Sequence, residues 1–255
     1  MPVYQNPMTP LDLDALGKTP LKRAPFEHVV VPGFIRAEAA QAIERDFPRI
    51  ADTGSYVPAS LRYGPAFGEL MHALRGPELA AALGEKFALD LSALPVLLTV
   101  RGRTGQRDGR IHYDRAGKVM TALLYLNRGW QEKTGWLRLL RGDGDLENFA
   151  EEVPPEMGTL LVFRCTPNAW HGHKTFVGQR RAIQINWIDS RVQCLLEFSN
   201  RCAVKRDDIV DVKHPPDDDL VFSVEVHAGR VTLVFHAIHA VAPIFSRNSR
   251  AALMR

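Results

Sequence analysis

The spacing of apolar residues changes near Leu94, from recurrences suited to helices upstream to short runs separated by turns downstream. Residues 1–25 carry Pro2, Pro7, Pro10, Pro20 and Pro25 with weak periodicity, which predicts a loosely structured arm around the domain. Phe26 to Phe34 reads as a strand ended by Pro32-Gly33. In the following segment, Ile35 to Phe47, the residues Ala39, Ala42, Ile43 and Phe47 fall on one side, predicting an amphipathic helix stopped by Pro48. After a Gly/Ser/Pro loop near 52–65, a second helical region is expected over Phe67 to Phe87, interrupted at Gly76-Pro77. These helices carry no evident chemistry, so their expected role is to buttress a sheet.

Downstream, Pro95 to Val100 is a β-type run, 101–109 a polar Gly-rich loop and Ile111 to Asp114 a short strand. Val119 to Asn127, Gly135 to Arg141, Thr159 to Arg164, His171 to Val177 and Arg180 to Ile188 continue the series. Short strands at regular spacing with turn signals predict a mainly β fold with flanking helices, its core a sandwich or jelly roll. Beyond Ser199, Lys213 to Asp219 reads as an exposed linker, and Leu220 to Ala228 pairs with Arg230 to Ile238 as a hairpin across Gly229.

Composition narrows the function classes. At 255 residues and 45% hydrophobic content the chain can bury a substantial core. Its formal charge of +3 is spread without a long basic run, which argues against nucleic acid as a partner. The amino terminus lacks the basic-then-apolar order of a signal peptide, and no apolar run reaches the roughly 18 residues of a membrane helix. The three cysteines, Cys165, Cys194 and Cys202, are odd in number and outside C-x-x-C spacing, so a reducing cytoplasm is the expected compartment. Phosphate-binding and nucleophile-elbow motifs are absent.

Candidate chemistry centres on His112-Tyr113-Asp114. On a strand, His112 and Asp114 point to one face because side chains alternate. One further His from a distant strand would complete two imidazoles and a carboxylate, the facial set that leaves positions open on Fe(II). A nearby arginine suits a dicarboxylate co-substrate, because its planar fork donates two parallel hydrogen bonds and never loses its charge.

The order of pieces carries a resemblance. IHYD at 111–114, MTALLYLN at 120–127, GWLRLL at 135–140, GTLLVF at 158–163 and WHGH followed by GQRRAIQINW within 170–187 are similar to the iron- and 2-oxoglutarate-dependent dioxygenases, in their prolyl 4-hydroxylase-like branch. The lead-in at 25–48 resembles that superfamily too. The resemblance implies a double-stranded β-helix (jelly roll) at 94–190 behind a helical lead-in at 26–90, together a domain over 1–198, with 199–255 an appendage of unassigned role. It implies His112, Asp114 and His171 as iron ligands, with His173 the rival for the third position. It implies Arg180 as the anchor of the distal 2-oxoglutarate carboxylate, Arg181 as the reserve and Tyr125 as the hydroxyl assisting it. Arg180 shares parity with Ala182, Gln184 and Asn186, whereas Arg181 aligns with Ile183, Ile185 and Trp187.

The implied activity is hydroxylation of a small molecule, saccharide or peptide side chain by O2, with release of succinate and CO2. Alternatives are a peptidyl-prolyl hydroxylase and a non-catalytic cupin-like metal-binding module. Substrate contacts are expected from Arg101, Arg103, Arg107, Arg110, Arg115, Arg138 and Trp130 around the mouth.

Overall fold

The computed structural model describes residues 9–114 and 117–189, and the backbone of 210–212, 220–227 and 230–237. The chain divides into two compact units, Met1–Val204 and Lys205–Arg255. Among the described residues no helix is long and apolar enough to cross a membrane.

Four helices precede most of the sheet. The first, α1 (Leu13–Lys18), lies in the segment expected as a loose arm. It forms because Asp12 caps it, accepting from the Ala15 N–H at 2.9 Å, and because Leu16 is fully buried. Leu11 bridges to Ile35, which ties this segment to the core. The expected amphipathic helix is α2 (Ala37–Asp46). The interrupted helical region resolves into α3 (Pro65–Arg75) and α4 (Pro77–Phe87). Both open on a proline, whose fixed φ and missing N–H suit the first helical position.

The strands form two sheets that face each other. With β1 (His28–Val31), β2 (Val96–Thr104), β3 (Lys118–Tyr125), β6 (Leu160–Arg164) and β8 (Gly178–Ile188), the larger sheet has the antiparallel order β1-β6-β3-β8-β2. The smaller sheet, β4 (Leu137–Leu140), β5 (Phe149–Val153) and β7 (His171–Gly172), has the order β5-β4-β7. The chain crosses repeatedly between the two, which is the double-stranded β-helix expected.

Alternation divides the core. Met120, Ala122 and Leu124 of β3, Leu160 and Val162 of β6, and Ile183, Ile185 and Trp187 of β8 pack with the helices in one apolar cluster. Tyr125, Leu161, Phe163 and Ala182 point the other way, between the sheets, where they meet Leu137, Leu139 and Val153. The helices therefore do cover one face of the larger sheet, and the opposite face turns toward the smaller sheet.

Several expectations need correction. Strand β2 runs on to Thr104, so the first part of the expected 101–109 loop is sheet, with a register shift between Arg101 and Arg103. Residues 111–114 form only the isolated bridge His112↔His171, and the strand expected from His171 ends at Gly172. Strand β5 was not foreseen: its residues alternate weakly, and Glu151 and Glu152 mask the pattern.

In the second unit, β9 (Val210–Val212), β10 (Leu220–His227) and β11 (Arg230–Ala237) form an antiparallel sheet of order β11-β10-β9. The expected pairing of the last two strands is present, with His227 opposite Arg230. The expected linker 213–219 lies outside the described residues.

Candidate metal and co-substrate site

The bridge between His112 and His171 brings two distant segments together. Each backbone N–H donates to the other residue's carbonyl, at 3.0 and 2.9 Å. The rings lie 4.3 Å apart at 57°. His112 Nδ1 stands 2.8 Å from the Arg110 carbonyl and His171 Nδ1 2.9 Å from the Ala169 carbonyl. A carbonyl only accepts, so each Nδ1 carries the proton and each Nε2 presents its lone pair. His112, Asp114 and His171 each offer a ligand atom, all within 4.8 Å of one another. Two imidazoles and a carboxylate so gathered fit Fe(II), as a set that takes one face of the metal.

Asp114 is buried and held from both sides. Lys118 Nζ donates to its Oδ1 at 3.0 Å, and the Thr121 hydroxyl donates to its Oδ2. Thr121 also lies 3.0 Å from Asn186 Oδ1, and Gln184 donates to that oxygen at 3.2 Å. Burial pushes the Asp114 carboxyl up, but the Lys118 ammonium, His171 and the Thr121 bond hold it well below the usual carboxylate range. Burial pushes His171 down to about 4 against the pull of Asp114, so this imidazole is neutral and ready to coordinate across the physiological range. The Cys165 thiol, 3.8 Å from Asp114 Oδ2, is pushed up to about 12 by burial and by that carboxylate, and stays protonated.

Lys118 reaches Asp114 through a break in strand alternation. It pairs with Ile188, while Met120 pairs with the next residue along β8, Trp187. The bulge at Val119 resets the parity, turning Lys118 away from the helix side occupied by Met120.

Farther along β3 and β8, Arg180 is buried on the same inner face as Thr121, Tyr125 and Asn186. Its Nε donates to the Gly135 carbonyl at 2.8 Å and one Nη to the Tyr125 hydroxyl at 3.3 Å. These bonds occupy two of the five guanidinium donors. Gly135, at φ +80°, sits close against Trp130 and Phe176, whose rings lie 4.7 Å apart at 59° and seat the loop that supplies this carbonyl. Burial pushes the Tyr125 phenol up despite the nearby Arg180 charge. Arg181 points to the opposite side, its guanidinium 4.9 Å from the Phe47 ring centre.

His173 is buried but is not in the group of three. Its Nδ1 lies 2.9 Å from the Lys174 carbonyl, and its backbone N–H donates to Gly109. Gly109 sits at φ +87°, and a Cβ there would come within 2.5 Å of the imidazole, so only glycine permits this approach. Burial, with the Arg180 charge, pushes His173 down to about 4.

The residues expected at the mouth separate. Arg101 bonds Ser55 Oγ at 2.8 Å and Asp108 at 3.2 Å, whereas Arg107 and Arg110 are exposed. Arg138 is buried, bonded to Glu147 at 2.8 Å and Glu152 at 2.6 Å, and lies over Phe149. Such pairing gives it a structural place in the smaller sheet. Arg115 lies outside the described residues. Sequence reasoning missed Lys118, whereas Asn186 stands on the Arg180 face that its parity assigns. The one signal for Lys118 was a charged residue at the head of an apolar strand, four places after Asp114.

Residues 101–189 match the family model of the 2OG-Fe(II) oxygenase superfamily. The cofactors of that superfamily are Fe(II) and 2-oxoglutarate, and His112, Asp114 and His171 form a set able to take the metal. Among solved structures, the chain is similar to a prolyl-4-hydroxylase of Pseudomonas putida, at 19% identity over 70% of this chain and 93% of that one, with a TM-score of 0.46. It is similar to prolyl 4-hydroxylases from Phytophthora capsici at 19% identity, over 74% of this chain and 69% of that one, with a TM-score of 0.47. A 2OG-Fe(II) oxygenase family oxidoreductase from Burkholderia pseudomallei is 15% identical over 63% of this chain and 82% of its own, with a TM-score of 0.43. No curated protein matches the chain in sequence.

Proposed function

We propose that this protein is an Fe(II)- and 2-oxoglutarate-dependent dioxygenase that hydroxylates a small molecule, saccharide or peptide side chain. The observation that carries the reading is the shared inner face of β3 and β8: Thr121, which bonds Asp114, and Asn186, which lies against Thr121, stand on it together with Tyr125 and Arg180. His112, Asp114 and His171 would hold the metal through two Nε2 atoms and a carboxylate oxygen. Arg180 would receive the distal carboxylate of 2-oxoglutarate with its remaining donors, and Tyr125 would orient the guanidinium. When bound, the iron and co-substrate supply the oxidation, with succinate and CO2 as products. The protein's part is to orient the co-substrate between Thr121 and Arg180 and to keep water out with the apolar layer around Phe163, Leu161 and Leu139.

The reading includes a reducing cytoplasm, in keeping with three cysteines and the free Cys165 thiol. It is tested by succinate release. The wild type consumes O2 and 2-oxoglutarate with equal amounts of succinate formed, and Asp114→Ala does neither. Equal succinate from both proteins would contradict the reading.

A further inference from the structure

Lys118 is a fully buried cation, its side chain 0% exposed, beside an Asp114 side chain that is 2% exposed. A buried ammonium is costly unless paired, and the bulge at Val119 brings it 3.0 Å from Asp114 Oδ1. A lysine there is a choice with consequences, because Asp114 is already held at its other oxygen by Thr121. A second neutral donor would suffice to orient the carboxylate. What the ammonium adds is charge.

Histidines coordinate as neutral imidazoles, so Asp114 is the one negative ligand of the set of three. Lys118 cancels that charge. A divalent metal held there keeps its full charge toward whatever binds next, and the natural next ligand is an anion. We propose that Lys118 is a positioning residue that sets the anion preference of the site: by neutralising Asp114 it strengthens the binding of a dicarboxylate to the metal-loaded protein. Arg180 then holds the far end of that anion and Lys118 acts on the near end through Asp114. The inference rests on the functional reading above.

The test uses the full chain under anaerobic conditions, with Mn(II) followed by paramagnetic resonance and 2-oxoglutarate then titrated into the Mn(II)-loaded protein. Lys118→Met and Lys118→Gln remove the charge, and Lys118→Arg keeps it. Both uncharged variants are expected to lose about tenfold in 2-oxoglutarate affinity, the scale of one charge acting over a short distance in a partly shielded interior. Their Mn(II) affinity is expected to stay equal to the wild type or to rise, and Lys118→Arg restores 2-oxoglutarate binding. If Lys118→Met folds poorly, Lys118→Gln, which keeps a donor for Oδ1, carries the same expectation. Unchanged 2-oxoglutarate affinity in the uncharged variants overturns the proposal. So does a loss of Mn(II) affinity as large as the loss of 2-oxoglutarate affinity, which would leave Lys118 a support for Asp114 alone. A wild type that binds no Mn(II) at all would instead remove the functional reading beneath it.

Discussion

The Arg180 guanidinium lies over the Tyr125 ring, 5.0 Å from its centre, and donates to the Tyr125 hydroxyl at 3.3 Å. Two neighbouring strands thus fix a buried cation in one orientation, using the ring face and the hydroxyl of a single side chain. Its neighbour Arg181 lies on the other side of the sheet over Phe47.

This geometry separates the two arginines experimentally. Arg180→Met is expected to raise the KM for 2-oxoglutarate by roughly ten- to a hundredfold, the worth of charge-assisted hydrogen bonds to a carboxylate. Tyr125→Phe should have a smaller effect in the same direction, and Arg181→Met should stay within about threefold of the wild type. Steady-state kinetics with varied 2-oxoglutarate measure all three. A larger effect at Arg181 than at Arg180 would reverse the assignment.

A second expectation concerns acid stability. Glu151 of β5 accepts from His28 Nε2 of β1 at 2.9 Å and from Lys22 at 2.7 Å, tying the edges of the two sheets together. Burial raises the Glu151 carboxyl, but Lys22 and His28 outweigh it and leave it below the usual range. A carboxyl lowered by folding contributes stability above its unfolded value, and that contribution is lost as pH falls through the lower folded value. Glu151→Ala should therefore cost about 1–3 kcal/mol at pH 7, since the buried His28 Nε2 loses its hydrogen-bond partner. The gap to the wild type should narrow below about pH 4. Thermal melts across pH 3–7 decide this, and a gap that widens in acid would refute it.

Phe163 links core packing to the candidate metal site. Its ring lies 4.9 Å from His171 and 5.8 Å from Phe26, with no exposed surface. Phe163→Leu is expected to destabilise the fold by about 1–2 kcal/mol and to weaken Mn(II) binding, because the His171 imidazole loses the wall that fixes its plane. Denaturant melts and metal titration of the same variant test the coupling. Unaltered metal affinity in a destabilised variant would show that the Ala169 carbonyl alone orients the ring.

The sequence was most legible where periodicity and parity held. The helices over 35–47 and 67–87, the strands at 119–127 and 180–188, and the separation of Arg180 from Arg181 all follow from spacing. It was least legible where local geometry breaks the rule. Asp12 and Leu16 make a helix in a Pro-rich segment, and Glu151 and Glu152 hide a strand whose charges pair with Lys22, His28 and Arg138. Lys118 escaped because a bulge moves it to the face that its number assigns to Val119 and Thr121. His112 and His171 were legible as residue types, but the single bridge that joins them was not, because one paired residue leaves no run to detect.

In the proposed function, His112, Asp114 and His171 would hold iron beside a 2-oxoglutarate anchored on Arg180. The most direct measurement is the visible spectrum of the full chain with Fe(II) and 2-oxoglutarate under anaerobic conditions. A weak metal-to-ligand charge-transfer band is expected in the wild type, absent in His112→Ala and Asp114→Ala and needing far more 2-oxoglutarate in Arg180→Met. A band of undiminished intensity in His112→Ala and Asp114→Ala would contradict it.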